Sequence, residues 1–391
     1  MKHPLAERFD GAAEILTEID ARIPDTRDYT TETRATIDAY HPKRLLLRVA
    51  AIIDETATTK TFRLKNHTDD ALPPFSAGQY VNVFTDSTSR PYAISSSPTT
   101  LGHYDLTVRR VPGGRISNML IDTLRIGHLL TTTGPMGTFH HNPLFHGDRV
   151  VFLAGGSGVA PAMSMIREIV ELGLERSFHL IYGSRDAADI IFRTELDSRI
   201  AEHPGITVDH VIAEPTPQWT GRTGFLTADT IQDLTGPLDG RMVYVCGPQA
   251  LYPYAVEQLT ALGQPRKRIR FEANGAPSDP TAQPHWPASA DPAAEVTVTV
   301  GDTSFRTRSG RPLLDALEDN GIRPEAACRS GECSLCRVRI VKGEVHTASE
   351  SRLRLSDNQF GYTHSCVAYP ITDVEIDIHS SPSIPRAIRR A

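Results

Sequence analysis

The sequence predicts three successive domains of different fold class: an antiparallel β-barrel, a doubly wound α/β domain and a small α+β module. Two changes of pattern and one of composition indicate this order. Short alternating segments fill residues 45–145, buried strands alternate with amphipathic helices over 146–274, and a Pro- and Ala-rich stretch precedes residues 295–381. A chain of 391 residues is long enough for two or three hydrophobic cores.

Composition excludes several classes of protein. The net charge of -6 is modest and the basic residues are dispersed, so no nucleic-acid-binding surface is indicated. No apolar run approaches membrane-spanning length, and the N-terminal segment lacks the apolar stretch of a signal peptide. The chain has 5 cysteines, four of them close together, which is unlike a disulfide scaffold. We therefore expect a cytoplasmic protein with reduced thiols and no membrane or nucleic-acid partner.

An N-terminal extension and the barrel come first. In residues 1–44, apolar residues recur on one helical face between Leu5 and Ile19, which predicts a helical extension. The barrel, residues 45–145, is predicted from LLLRVAAII, KTFRL, QYVNVF and YDLTVRRV, because each alternating segment is bounded by turn residues.

The doubly wound domain covers residues 146–274. RVVFLAGG and SFHLIYGS have the pattern of buried strands, and PAMSMIREIVELG has that of an amphipathic helix. The stretch LAGGSGVAP lies where the first of these strands passes into the helix. Its glycines would let the backbone approach a pyrophosphate at the helix N-terminus. Glycine spacing alone leaves an ordinary strand-to-helix turn as the alternative.

A linker and the smallest module complete the chain. Residues 275–294 are rich in Pro and Ala without periodicity, which predicts an extended, fairly stiff linker that isolates the module. Within residues 295–381, EVTVTVGDTSF predicts a hairpin, PLLDALEDNGI a helix, and VRIVKGEV and DVEIDI further strands. Residues 382–391 form a tail.

Four cysteines of this module follow the pattern C-x4-C-x2-C with a distant fourth: Cys328, Cys333, Cys336 and Cys366. This is the plant-type [2Fe-2S] spacing. Small residues between the first three cysteines would let backbone N–H groups point at the sulfur atoms. The main alternative is a zinc site of His364 with the last three cysteines, but it would leave Cys328 without a role. The spacing therefore favours an iron–sulfur cluster.

Six motifs occur in one order: SRPYAISSSP, GGRISNML, GPMGTF, AGGSGVAP, YGSRDAADIIF and YVCGPQ. Together they resemble the ferredoxin-NADP reductase superfamily, in which a flavin-binding barrel precedes a nicotinamide-binding domain. Residues 295–381 resemble a plant-type ferredoxin, which implies a β-grasp fold. The combination is similar to the phthalate dioxygenase reductase group and to the NADH oxidoreductases that serve hybrid cluster protein.

This resemblance implies roles at the flavin site. Arg90 would hold the flavin phosphate, Pro91 follows it, and Tyr92 would pack along the isoalloxazine. Ala93 stands where the family usually has a hydroxyl beside flavin N5, so that contact is not expected. A second phosphate-binding segment is matched by Gly114, Ile116 and Ser117. Because this segment reads GGRIS and not the GRGGS of FMN-binding members, FAD is favoured over FMN.

The resemblance also implies a nicotinamide site with two candidate catalytic residues. Cys246 would lie against the nicotinamide and Glu272 near the flavin; a buried core thiol and a solvated carboxylate are the alternatives. Glu214 stands where NADPH-preferring members carry an Arg, which favours NADH over NADPH. Ser184 and Arg185 are counter-evidence, since they could reach a 2′-phosphate. The remaining dinucleotide-binding candidates are Gly155, Gly156, Ser157, Gly158, Pro161, Gly247 and Pro248.

These parts imply an oxidoreductase that takes electrons from NADH and passes them through FAD and a [2Fe-2S] cluster to a partner redox protein. The expected acceptor is an oxygenase component or another metalloenzyme of the hybrid cluster protein type. Two alternatives are an electron-transfer subunit with a vestigial nicotinamide site and a redox-sensing flavoprotein. The intact glycines disfavour the first, and no output domain is recognisable for the second.

Overall fold

The computed structural model describes residues 11–22, 30–40, 42, 44–85, 89–272, 275–277, 279–349 and 351–378. The chain divides into an N-terminal unit, Met1–Pro42, and a larger unit, Lys43–Ala391, which contains the three predicted domains. In the ranges given above, no helix has both the length and the apolar composition needed to cross a membrane.

The N-terminal unit contains two helices, α1 (Ala12–Arg22) and α2 (Thr30–Tyr40). The sequence pattern predicted the first of these and missed the second. The described side chains of α2 are exposed, so it has no apolar stripe that the sequence could reveal. Leu5 of the predicted helical face and the predicted tail, residues 382–391, lie outside the described residues.

The first domain of the larger unit is an antiparallel sheet with two helices. Its elements are β1 (Leu45–Thr56), β2 (Thr59–Asn66), β3 (Tyr80–Phe84), β4 (Ser89–Ala93), β5 (Tyr104–Arg109), α3 (Arg115–Thr123), β6 (Leu129–Thr132) and α4 (Pro143–His146). The strand order is β4-β3-β6-β1-β2-β5. Ile94, directly after β4, bridges to Leu106 of β5 and closes the sheet. The predicted antiparallel barrel is therefore confirmed, with inward side chains such as Leu47, Phe62 and Val81 filling its core.

The second domain is built on a parallel sheet. Its elements are β7 (Arg149–Gly155), α5 (Val159–Leu172), β8 (Ser177–Ser184), α6 (Arg193–Glu202), β9 (Ile206–Ile212), β10 (Arg222–Thr223), α7 (Ala228–Thr235), β11 (Met242–Cys246), α8 (Leu251–Ala261) and β12 (Ile269–Phe271). The strand order is β10-β9-β8-β7-β11-β12, and all pairs are parallel.

Successive residues of β7 point into two different cores of this domain. Phe152 packs in the core that includes α5 and α6, whereas Val151 packs in the core that includes α7 and α8. Helices thus cover both faces, and the predicted doubly wound fold is confirmed. In the sheet, β8 lies on one side of β7 and β11 lies on the other, so the strand order reverses direction at β7. A ligand site is expected at the carboxyl ends of these strands.

The third domain is a mixed sheet that wraps around a helix. Its elements are β13 (Glu295–Val300), β14 (Thr303–Arg308), α9 (Leu313–Asp319), β15 (Arg337–Lys342), β16 (Val345–Thr347), α10 (Leu355–Gln359), β17 (Tyr362–His364), β18 (Ala368–Pro370) and β19 (Val374–Asp377). The main sheet has the order β14-β13-β19-β15-β17, in which only β13 and β19 pair in parallel. Leu313 and Leu317 of α9 pack on Val298 and Val374, as expected for a β-grasp domain.

The predicted extended linker is wrong in its conformation. Residues 275–277 and 279–294 fold back onto the third domain and include a turn of 3-10 helix at Pro280–Ala282. The Trp286 ring packs edge-on against Tyr369, with centroids 6.1 Å apart, and the Tyr369 hydroxyl donates to the Pro277 carbonyl at 2.9 Å. Burial of these two aromatic rings stabilises the folded conformation, and Pro and Ala content alone gave no sign of it.

Candidate cofactor sites

The four clustered cysteines meet in one pocket of the third domain. All four are free thiols; three are buried and Cys333 is partly buried. The Cys328 thiol is in hydrogen-bond contact with those of Cys333 and Cys366, and the Cys336 thiol with that of Cys366. Residues far apart in sequence thus present four sulfur atoms to one small volume.

The backbone of the loop between Cys328 and Cys336 turns its N–H groups towards sulfur. Arg329, Gly331 and Ser334 all have positive φ, which turns the backbone so that several N–H groups point into the loop. Donors to Cys328 Sγ, at 3.3 to 3.4 Å, are the N–H groups of Ser330, Glu332 and Cys333. With the neighbouring thiols, these donors hold the pKa of Cys328 well below its usual value.

His364 is not placed as a metal ligand. Its Nδ1 lies 3.0 Å from Ser351 Oγ and its Nε2 lies 3.0 Å from Ser334 Oγ, so hydroxyl groups occupy both ring nitrogens. The zinc alternative is therefore disfavoured. Four free thiols with backbone donors fit a [2Fe-2S] cluster.

Strand β4 carries the predicted flavin residues at one edge of the barrel. Arg90 is exposed, and its Nη1 donates to the Ser89 carbonyl at 2.8 Å. Tyr92 lies two residues on, hence on the same face of the strand, and packs partly against the barrel core. Pro91 and Ala93 alternate with them. A positive charge and an aromatic surface thus share one face, as the flavin prediction requires.

The second predicted phosphate segment forms the start of α3. Gly114 is the N-cap and makes no side-chain cap, so the first N–H groups of the helix remain available to an anion. A Cβ at Gly114 would lie 2.9 Å from the backbone carbonyl oxygen of Val111, which explains the glycine. Ile116 is buried in the barrel core, so its side chain supports the segment from behind and does not face a ligand.

The glycine-rich turn packs directly on the Cys-Gly-Pro segment after β11. A Cβ at Gly155 would lie 3.0 Å from Pro248 Cδ, and one at Gly158 would lie 2.1 Å from the Cys246 carbonyl oxygen and 2.7 Å from Gly247 Cα. Gly158 is also the N-cap of α5 and offers no side-chain cap. The structure thus brings together two motifs about 90 residues apart. Ser157 is part of the glycine-rich turn, and Pro161 is buried in the first turn of α5 that follows it.

The two candidate catalytic residues are neighbours. Cys246 Sγ lies 4.0 Å from Glu272 Oε2, and both side chains are buried. Burial, followed by the negative charge of Glu332, raises the pKa of Glu272 well above its usual range. This environment corrects the alternative of a solvated carboxylate at a strand end.

Arg109 is a candidate that the sequence did not reveal. Its guanidinium extends from β5 of the barrel to the glycine-rich turn, where Nη1 would lie 2.6 Å from a Cβ at Gly156. Asp189 of the α/β domain holds it through Nη2 and also accepts from Thr58 Oγ1 at 3.1 Å. A cation from one domain thus reaches the predicted pyrophosphate site of the other. Only tertiary structure places them together, since 80 residues separate Arg109 from Asp189.

The residues predicted to select the nicotinamide lie side by side. Ser184 ends β8, and the Ala213 N–H donates to its carbonyl at 3.1 Å. The Glu214 N–H donates to the Arg185 carbonyl at 2.7 Å, and both of these side chains are exposed. Glu214, which favours NADH, and Ser184 with Arg185, which would favour NADPH, therefore lie at the same edge of the sheet. This edge is formed by the carboxyl ends of β8 and β9.

The cysteine loop faces the flavin barrel. Arg352, whose N–H donates to the Gly331 carbonyl of this loop, donates through Nη1 to Thr138 Oγ1 of the barrel at 2.8 Å. Tyr80 of β3 is buried, and burial raises its pKa far above the usual value. A Cβ at Gly137 would lie 2.7 Å from the Tyr80 ring, which explains the second glycine of the GPMGTF motif. The candidate flavin and cluster sites are therefore on facing sides of one interface.

Comparison with known proteins agrees with this arrangement. Residues 47–141 match the model of the oxidoreductase FAD-binding domain, residues 152–257 that of the oxidoreductase NAD-binding domain, and residues 296–370 that of the 2Fe-2S iron-sulfur cluster binding domain. The chain thus contains domains for FAD, a nicotinamide dinucleotide and a [2Fe-2S] cluster, in the predicted order.

Relatives and solved structures of the same organisation cover nearly the whole chain. The ferredoxin reductase component of 3-ketosteroid-9-alpha-monooxygenase from Mycolicibacterium smegmatis is 32% identical over 84% of this chain and 95% of its own length. The glycine betaine monooxygenase reductase subunit of Pseudomonas aeruginosa is 29% identical over 85% and 95%. The solved structure of phthalate dioxygenase reductase has a TM-score of 0.62 and 25% identity, and covers 85% of this chain and 98% of that one. The chain belongs to the ferredoxin-NADP reductase superfamily, in the family of flavoprotein oxygenase reductases that carry a C-terminal plant-type [2Fe-2S] domain.

Proposed function

We propose that this protein takes electrons from NADH and delivers them singly to the oxygenase component of a multicomponent oxygenase in the cytoplasm. The observation that carries the proposal is the contact between the third domain and the barrel. Arg352, whose N–H donates to the Gly331 carbonyl of the cysteine loop, also donates to Thr138 Oγ1 of the barrel at 2.8 Å. A reduced flavin in the barrel would then have the cluster as its neighbour. The names of the relatives, which are reductases of monooxygenases, support an oxygenase as acceptor.

FAD, when bound, converts the electron pair of NADH into single electrons that a [2Fe-2S] cluster passes on one at a time. Each NADH yields NAD⁺, one proton and two electrons, so two equivalents of a one-electron acceptor are reduced. The glycine-rich turn and Arg109 would orient the dinucleotide pyrophosphate. Cys246 and Glu272, buried 4.0 Å apart at the ends of β11 and β12, would line the nicotinamide side of the flavin.

The test is electron delivery by the purified holoprotein. We expect FAD and two irons per chain, bleaching of the flavin by NADH under anaerobic conditions, and then reduction of the cluster. Where a flanking gene encodes an oxygenase component, adding that component should couple NADH oxidation to substrate oxygenation. If NADH bleaches the flavin but no electrons reach that oxygenase component, the proposed acceptor is wrong.

We also propose that NADH is preferred over NADPH. The exposed Glu214 carboxylate would repel a 2′-phosphate but could accept hydrogen bonds from free ribose hydroxyls. Arg222, a further cation near this edge, pairs with Asp233 at 3.1 Å, which reduces its capacity to bind a phosphate. Arg185 is likewise close to a carboxylate, since its Nε lies 3.4 Å from Asp186 Oδ2.

Glu214→Arg is expected to shift the ratio of kcat/KM for NADH to that for NADPH by about tenfold or more towards NADPH, because a charge-assisted phosphate contact replaces a repulsion. Glu175→Arg makes the same charge change just before β8, at the opposite end of the strand, and should leave the ratio unchanged. A native preference for NADPH would refute the assignment. Equal shifts in both variants would mean that overall charge, and not Glu214, sets the preference.

A further inference from the structure

Three domains meet at Thr138, in the GPMGTF segment of the barrel. Arg270 of β12, in the α/β domain, donates through Nη2 to the Thr138 carbonyl. Arg352 of the third domain donates through Nη1 to Thr138 Oγ1 at 2.8 Å. One threonine therefore accepts a hydrogen bond from each of the other two domains.

Arg352 also contacts the loop that carries the cluster cysteines. Its Nε lies 3.3 Å from Glu332 Oε1, and its backbone N–H donates to the Gly331 carbonyl at 2.9 Å. Glu332 directly precedes Cys333, and only 12% of its side chain is exposed. A single guanidinium thus joins the cysteine loop to the barrel.

The charges around this junction depend on one another. Burial lowers the pKa of Arg270, and the nearby positive charge of Arg352 lowers it further. The negative charge of Glu332 acts in the opposite direction. Glu332 is almost buried, and the Arg352 guanidinium 3.3 Å away is its ion-pair partner. A buried carboxylate with its partner removed is costly, so Arg352 is the group that makes Glu332 acceptable at this interface.

We propose that Arg352 is a positioning residue that holds the cysteine loop against the flavin barrel, and thereby sets the rate at which electrons pass from FAD to the cluster. The assignment rests on the proposed function. Arg352 contacts neither the glycine-rich turn nor the Cys246–Glu272 pair in the described structure, so its role concerns the step after NADH oxidation.

The experiment separates these two steps by rapid mixing of the holoprotein with NADH. In Arg352→Ala, flavin bleaching and the reduction of ferricyanide should keep their native rates, whereas the cluster should be reduced about fivefold more slowly, the effect of losing about 1 kcal/mol of docking free energy. Arg352→Lys retains the charge beside Glu332 but has no fork that bridges to Thr138, so we expect partial recovery. Arg354→Ala removes an exposed arginine two residues away and should behave as the native protein.

A second readout does not depend on turnover. Hydrogen exchange of the cysteine loop, residues 329–336, and of residues 134–139 should increase in Arg352→Ala and not in Arg354→Ala, with iron and FAD content unchanged. Thr138→Val combined with Arg352→Ala should be no slower than Arg352→Ala alone, because both remove the same contact. Native exchange and a native rate of cluster reduction in Arg352→Ala would overturn the proposal. If NADH fails to reduce the cluster in the native protein, the proposed function itself is wrong.

Discussion

Replacement of Cys336 by serine is expected to abolish the [2Fe-2S] cluster and all electron delivery to a one-electron protein acceptor, while FAD remains bound and reducible by NADH. Cys336 is buried beside Cys366, and a cluster of this type needs four thiolates. The flavin motif on β4 belongs to a separate domain with its own core, so it should not respond. Iron content, the visible spectrum and electron paramagnetic resonance of the dithionite-reduced protein measure the loss.

Cys246→Ser is the matched control for this experiment, because Cys246 is the one cysteine of the five that lies outside the proposed cluster site. Its iron content and cluster spectrum should be native, whatever happens to its reaction with NADH. Zinc in place of iron in anaerobically purified native protein would refute the cluster assignment, as would a full iron content in Cys336→Ser.

Gly158→Ala is expected to reduce the rate of flavin reduction by NADH at least tenfold. The new methyl group would lie 2.1 Å from the Cys246 carbonyl oxygen and 2.7 Å from Gly247 Cα, and neither backbone atom can move without displacing the Cys-Gly-Pro segment. Overpacking of this kind costs about 1 to 3 kcal/mol, here at the predicted dinucleotide site. Dithionite should still reduce both FAD and the cluster, because neither needs this turn.

The control is Gly173→Ala, at the other end of α5. Gly173 has φ of 60° with open space around its Cα, so alanine there strains the backbone without touching the turn. Its thermal stability should fall while its KM for NADH stays native. A native rate in Gly158→Ala, or an equal loss in Gly173→Ala, would show that the effect is not local to the dinucleotide site.

The sequence predicted well those features that depend on local pattern. Alternation in β1, β2, β3 and β5, buried runs in β7 and β8, and the cysteine spacing each reflect the environment of one segment. A short window of sequence is enough to detect them. The resemblance to the ferredoxin-NADP reductase superfamily then assigned these segments to common sites. The order of the motifs indicates which segments share a site, and periodicity does not.

The features that it missed are contacts between distant segments. Arg109 and Asp189 are 80 residues apart, and Thr138 and Arg352 are 214 apart. Thr138 and Asp189 lie within two of the recognised motifs, but neither motif indicates the distant arginine that contacts it. Glu272 was expected with equal weight in solvent or near the flavin, and only the packing around β11 and β12 decides that it is buried. Charge positions at a domain interface depend on how the domains dock, which no single segment encodes.

The segment of residues 275–294 moves the structural boundary of the third domain towards the N-terminus. Trp286 and Pro277 contact Tyr369, so the segment belongs structurally with the third domain and not with the gap before it. An ancestral gene fusion, or a designed chimera, that joined a new partner at residue 295 would leave that aromatic surface uncovered. A junction before residue 275 would instead keep Trp286 and Pro277 on Tyr369, so the third domain would retain its own covered core after transfer.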